Sequence, residues 1–232
     1  MKKILVVNPN TSKSMTKSIE KTITKLNTNY DITVINPNFG SESLESFYDY
    51  QIAASEIIKI LSKNQVQFQG ILIACFGDPG LYSIKEISDC PVVGIAEASL
   101  SMSLLLGKKF SILTALNKAV YMMEDMVNQY GLSSRLSSIR AVNSNVLDIE
   151  NNKGLLVENF IEQGKKCIQD GAEVLILGCA SMTGIREKIE ERLKIPVIDP
   201  VIAGYKMLQM LIESSANISK IGLYMSPPKG LL

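Results

Sequence analysis

Short runs rich in Ile, Val and Leu, each closed by Gly, Pro, Asn or Asp, recur along the chain between longer segments whose apolar positions return at helical spacing. The runs at residues 4–7, 32–35, 71–74, 92–95, 110–113, 174–177 and 197–198 show little alternation with polar positions. That is the habit of strands buried on both faces, as in parallel sheets. A weaker run lies at 139–142. Helical periodicity covers 14–26, 50–61, 98–106, 119–130, 155–170 and 185–193, and residues 202–212 form a further, more apolar helix. Strand and helix alternate almost throughout, which predicts an α/β fold with right-handed crossover connections.

The pattern also repeats. Ile71-Leu72-Ile73-Ala74-Cys75, a Gly-containing turn, a charged helix and Cys90-Pro91-Val92-Val93 are matched by Leu175-Ile176-Leu177-Gly178-Cys179, a Gly-containing turn, a charged helix and Ile195-Pro196-Val197-Ile198. Cys179 follows Cys75 by 104 residues, Pro196 follows Pro91 by 105, and Thr114, ending the run after Lys109, follows Asn8, ending the run after Lys3, by 106. Three landmarks in the same order predict two similar lobes, each a mainly parallel sheet flanked by helices. A pseudo-twofold would relate them, with the active site in the cleft where their strand ends meet. Residues 1–97 with 201–232 form the expected first lobe, and 98–200 the second. The helix at 202–212 returns to cover the first lobe.

Composition narrows the chemistry. With 232 residues, 20% charged and 46% hydrophobic, the chain is globular, and 24 basic against 23 acidic residues leave no electrostatic footprint for nucleic acid. No apolar run approaches the ~18 residues of a membrane span, and the run after Lys2 and Lys3 is too short for a signal peptide, so a cytoplasmic protein with reduced thiols and no membrane partner is expected. The chain has no histidine. Mechanisms that need imidazole are therefore excluded, and with no Cys-x-x-Cys pair a zinc site is not expected.

Four cysteines remain: Cys75, Cys90, Cys167 and Cys179. Cys75 and Cys179 each stand where an apolar strand stops, at the carboxyl edge on which α/β ligand sites form. The small and turn-forming residues that follow, Phe76-Gly77-Asp78-Pro79-Gly80 and Ala180-Ser181-Met182-Thr183-Gly184, offer backbone N–H groups and a helix start that favour a thiolate or a carbonyl oxygen gaining charge. A lone cysteine at a strand end is more often a packing residue, but two at equivalent positions point to function. Cys90, ahead of a proline, and Cys167, on a helix, read as packing. Two thiols facing one cleft can remove a proton from one face of an activated carbon and return one to the other, which is two-base racemisation without cofactor or metal.

Other residues have competing local readings. Asn8 ends its strand at the same edge as Cys75 and is a candidate substrate contact, whereas the following Pro9-Asn10-Thr11-Ser12 also suits a turn and a helix cap. Phe39-Gly40 is either a lid over the cleft or a plain surface loop. Tyr121 either lines the pocket or, by default, packs in the core; the stripe Met122, Met123 and Met126 reads as packing, and Glu97 as a helix-start residue.

Taken together, Asn8-Pro9-Asn10-Thr11-Ser12, Ala74-Cys75-Phe76-Gly77-Asp78-Pro79-Gly80-Leu81 and Leu177-Gly178-Cys179-Ala180-Ser181-Met182 resemble the aspartate/glutamate racemase superfamily, and within it the hydantoin and allantoin racemase group. The resemblance spans nearly the whole chain. It implies cofactor-independent epimerisation next to a carbonyl, Cys75 and Cys179 as acid and base, a small-molecule substrate and a homo-oligomer. Substrate contacts are expected from Asn8, Phe39, Phe76, Gly77, Asp78, Ala180, Ser181 and Met182. Amino-acid racemases of the superfamily typically follow the catalytic cysteine with Asn and Thr; Phe76-Gly77 and Ala180-Ser181 stand here instead and suit a neutral ring. The alternatives are an amino-acid racemase, a maleate isomerase or an arylmalonate-type decarboxylase on the same fold. From another class, a binding module without chemistry remains.

Overall fold

The structure is a computed structural model that describes residues 2–26, 29–63 and 66–228. Residues 1 and 229–232, which the sequence reading assigns to the first lobe, lie outside these. Strands β1 (Lys2–Val7), β2 (Tyr30–Ile35), β3 (Gly70–Ile73) and β4 (Val92–Gly94) form one parallel sheet in the order β2-β1-β3-β4. Strands β5 (Phe110–Thr114), β6 (Leu136–Ala141), β7 (Val174–Leu177) and β8 (Val197–Ile198) form a second in the order β6-β5-β7-β8. The central registers agree as well: Ile4 to Val7 run opposite Gly70 to Ile73, and Phe110 to Leu113 opposite Val174 to Leu177. The two-lobed α/β architecture expected from the repeat is present.

Helices α1 (Lys13–Thr24), α2 (Phe47–Lys63), α3 (Leu81–Ile87), α4 (Ile95–Leu106), α5 (Asn117–Gln129), α6 (Val146–Gln169), α7 (Arg186–Leu193) and α8 (Pro200–Glu213) connect the strands. Because successive strand side chains point to opposite faces, each central strand feeds two cores. Ile4, Val6 and Leu72 from the first sheet join Phe110, Ile112, Val174 and Ile176 from the second in one shared core with α4 and α8. The alternate positions go outward, Leu5, Val7, Ile71 and Ile73 into a core under α2 and α3, and Leu113, Leu175 and Leu177 into a core under α6 and α7. Helix α8 packs against α4, α1, β3 and β4, so the chain returns to the first sheet at its end.

The starts of α4 and α6 differ from expectation, the first for a tertiary reason and the second for a local one. The strand expected to reach residue 95 ends at Gly94, and α4 begins at once with Ile95, ahead of the expected start at 98. The early start is held by the distant Asp78, whose carboxylate accepts from Ala96 N (3.0 Å) and Glu97 N (2.8 Å). Helix α6 begins at Val146 rather than 155; its Asn145 cap accepts from Asp148 N (2.8 Å), and its Asn-rich first part breaks from helical geometry at Asn152.

Candidate active site

The two central strands β3 and β7 end at matching edges, and the chain leaves each through a cysteine. After β3, Gly77 N and Asp78 N donate to the Cys75 carbonyl at 2.9 and 3.1 Å, closing a tight turn in which Asp78 adopts φ 45° and Gly80 φ 75°. After β7, Met182 N donates to the Cys179 carbonyl at 3.1 Å and starts a 3-10 turn over Ala180–Met182. These three N–H groups, expected to be open to a ligand, are spent on the turns themselves.

Each loop is tied to the start of a nearby helix and braced across the lobes. Asp78 caps α4 from outside and accepts from the Tyr130 hydroxyl at the end of α5, 3.0 Å away in the second lobe. Asp199, the cap of α8, accepts from Val201 N, from Gly184 N (2.9 Å) and from Thr183 Oγ1 (2.7 Å). Thr183 Oγ1 in turn lies 3.2 Å from Thr22 Oγ1 on α1. Helices α1 and α5 follow the equivalent strands β1 and β5, so the braces obey the pseudo-twofold.

Cys75 and Cys179 face one cavity of about 40 Å³, which Leu44, Glu45, Tyr50, Phe76, Thr114, Ala115, Leu116, Ala119, Met123, Val146 and Gly178 line. Spaces of about 100 and 300 Å³ adjoin it behind Tyr50, bounded by Phe47, Gly77, Met126 and Gln129. A cavity of about 420 Å³ at the far edge of the first sheet, around Phe68, Ile71 and Cys90, is larger but holds neither of the paired thiols.

Burial pushes the Cys75 thiol well up, and the neighbouring Cys179 and then Asp78 add to this through like charge. The Tyr50 hydroxyl is pushed up by burial and by the same two thiols. Asp78 rises to about 7 because burial, reinforced by Glu97, outweighs its three hydrogen bonds. Two neighbouring thiols resist ionising together, since the charge of one disfavours the charge of the other. Ser181 Oγ donates to Cys179 Sγ at 3.0 Å. Among the described residues no group of three or more Cys, Asp or Glu side chains could hold a metal ion, and no helix is long and apolar enough to cross a membrane.

The other expected contacts distribute unevenly. Phe76 lines the thiol cavity, Gly77 lies under the Tyr50 ring, and Ser181 is buried against Cys179. Ala180 packs in the shared core and Met182 in the core under α6. Asp78 is turned to α4 and Tyr130. Asn8 is fully buried, its amide donating to Asn10 Oδ1 (2.8 Å), Ser12 O and Thr16 Oγ1 (3.0 Å), while Ser12 caps α1 by accepting from Met15 N. Phe39 is 67% exposed and does not reach the cavity, which Leu44 and Glu45 of the same connection do; Tyr121, read as packing, is exposed too. Cys167 is buried, and Cys90 is pushed up to about 11 by burial. Sequence reasoning missed Tyr50, Leu44 and Glu45, for which it held no signal. Thr114 was legible as the counterpart of Asn8, and Met123 as part of the methionine stripe.

Fold and site together define a two-lobed α/β protein with a pair of thiols across an interlobe cavity. The sequence model of the Asp/Glu/Hydantoin racemase family matches residues 4–208. The hydantoin racemase of Pseudomonas sp. (strain NS671) is 37% identical over 232 residues, covering 98% of this chain and 92% of the relative. The allantoin racemase of Pseudomonas fluorescens superposes with TM-score 0.94 at 32% identity over 99% of both chains, and that of Klebsiella pneumoniae with 0.93 at 33% over 100% of this chain and 96% of the other. The chain belongs to the Asp/Glu/Hydantoin racemase family, and with it to the isomerases.

Proposed function

We propose that the protein is a cofactor-independent racemase that inverts C5 of a hydantoin-type ring, a 5-substituted hydantoin or allantoin, with Cys75 and Cys179 as its two bases. The observation that carries this reading is the pair of thiols, delivered by equivalent strand ends to one cavity. The thiolate takes the C5 proton, which the neighbouring ring carbonyl acidifies, and the electron pair left on carbon delocalises into an enolate. The opposite thiol then gives its proton to the other face of C5. The enzyme is left with the proton on the other sulfur, and nothing else is consumed.

A neutral ring suits the walls. Among the described residues no Lys or Arg lines the thiol cavity, whereas a dicarboxylate or an amino-acid carboxylate would call for a cation there. The one charged side chain on the lining, Glu45, is an acceptor for ring or ureido N–H groups. The similarity to hydantoin and allantoin racemases supports the same ring class. The reading keeps the lobes as residues 1–97 with 201–232 and 98–200, and with them a homo-oligomer in the cytoplasm that has a small molecule as its partner.

The test is the decay of optical rotation for single enantiomers of allantoin and 5-benzylhydantoin, with proton–deuteron exchange at C5 followed in the same samples. Cys75→Ser and Cys179→Ser are each expected to lose racemisation, by at least ~10²-fold, while Cys90→Ser and Cys167→Ser retain it. Racemisation surviving in either of the first two would remove the two-base mechanism.

A further inference from the structure

The two cysteine loops differ at one position that touches sulfur. Two residues beyond Cys179 stands Ser181, fully buried, its hydroxyl donating to Cys179 Sγ at 3.0 Å. Two residues beyond Cys75 stands Gly77. No side chain fits there without displacing Tyr50, because a Cβ on Gly77 would lie 2.3 Å from the Tyr50 hydroxyl and 2.4 Å from its ring. The pseudo-twofold therefore breaks at the sulfurs themselves.

We propose that Ser181 is a positioning residue that makes Cys179 the thiolate and Cys75 the thiol of the resting pair. The inference rests on the two-thiol reading above. A hydroxyl that donates to sulfur stabilises its ionised form more than its neutral form. Among the described residues, the titratable and charged groups that line the cavity or act on Cys75 include no cation: Tyr50 from α2, Glu45 from the connection ahead of α2, and Asp78 behind the Cys75 turn. Each of these, if charged, is an anion. Burial and the charges of Cys179 and Asp78 push Cys75 in the same direction, toward the protonated form.

The asymmetry does not show in catalytic efficiency. For true enantiomers the equilibrium constant is unity, so kcat/KM is equal in the two directions whichever sulfur rests ionised. It shows in the thiols. The experiment is iodoacetamide alkylation of the substrate-free protein across pH, with each cysteine scored by peptide mass mapping and folding checked by circular dichroism. In the wild type, Cys179 is expected to titrate into reactivity at lower pH than Cys75. In Ser181→Ala the Cys179 midpoint should rise by about one pH unit, so that its alkylation below the midpoint slows about tenfold. Ser181→Thr should restore the midpoint, and Cys90 should not change. A merely structural role would alter access, and hence the rate at every pH, without moving the midpoint. A wild-type Cys75 midpoint at or below that of Cys179, or an unmoved Cys179 midpoint in folded Ser181→Ala, overturns the proposal. Because the assay uses no substrate, loss of the racemase reading through an active Cys75→Ser variant would leave this result standing, and the reverse also holds.

Discussion

Replacing Asp78 with Asn tests the ionisation of the buried carboxylate that joins the first cysteine loop to α4. Asp78 is raised from 3.8 to about 7, chiefly by burial and then by Glu97. The folded state therefore keeps the proton at pH values where the unfolded chain has released it, and between about pH 4 and 7 the unfolded state binds fewer protons. The stability that this group contributes is fully present below the unfolded value and is lost as pH rises through about 7. At about 1.36 kcal/mol per pH unit, the interval amounts to about 4 kcal/mol. Asn cannot ionise, but its amide nitrogen only donates, so where both carboxyl oxygens accept from α4 amides the variant loses one acceptor at every pH, at about 1 kcal/mol. Asp78→Asn should therefore melt a few degrees below wild type near pH 4. By pH 8 the variant should melt higher, by on the order of 10 °C for a chain of this size. The assay is a pair of calorimetric melting series across pH. Parallel curves, or a variant that loses ground as pH rises, would show that the α4 amides and Tyr130 hold Asp78 ionised with no net penalty.

Gly77→Ala should cost about 1–3 kcal/mol through overpacking, because its Cβ would lie 2.3 Å from the Tyr50 hydroxyl. Displacing Tyr50, a wall of the thiol cavity, should also slow racemisation; a variant with wild-type melting and turnover would contradict the close approach. Arg140→Ala removes a two-point contact to Asp170 (2.7 and 2.8 Å) at the partly exposed edge of β6, and should lower stability by only about 1 kcal/mol or less. Arg140 holds the Asp170 carboxyl below its usual range, so the difference between variant and wild type should fade in acid, which urea titrations at two pH values would show.

The strands and the pairing of the lobes were legible because buried parallel strands leave continuous apolar runs, and because the same turn chemistry recurs about 104 residues apart. The thiols were legible for the same reason. What stayed hidden depends on contacts distant in sequence. The first turn of α4 forms on a carboxylate from the Cys75 loop; Glu97, read as a helix-start residue, does accept from Gly94 N, but nothing local announces the distant Asp78. Asn8 illustrates the reverse: its place at the strand end suggested a ligand contact, yet its amide is occupied in the loop that starts α1. Tyr50 sits at the cavity because Gly77 leaves room for its ring, a relation between residues 27 positions apart that neither residue reveals alone.

The cavity between the thiols, about 40 Å³, holds little more than a water molecule, whereas ligand sites run to some 300 Å³ and above. On the reading proposed above, a ring would have to be admitted by movement, and the structure ranks the motions. Parting the lobes would open a core that Ile4, Val6, Phe110, Ile112, Val174 and Ile176 share, at roughly 1.5–3 kcal/mol per large side chain exposed. It would also break the braces at Tyr130 and Thr22. The connection ahead of α2 is held to the second lobe by much less: Glu45 Oε1 accepts from Val146 N at 3.5 Å, the long limit of a hydrogen bond, worth at most about 1 kcal/mol net. Lifting Leu44 and Glu45 would open one wall of the thiol cavity while leaving both cysteine loops on their sheets. On the reading proposed above, the stretch next to α2 is the cover of the site, and the separation of Cys75 from Cys179, on which two-base inversion would depend, is preserved if that cover moves.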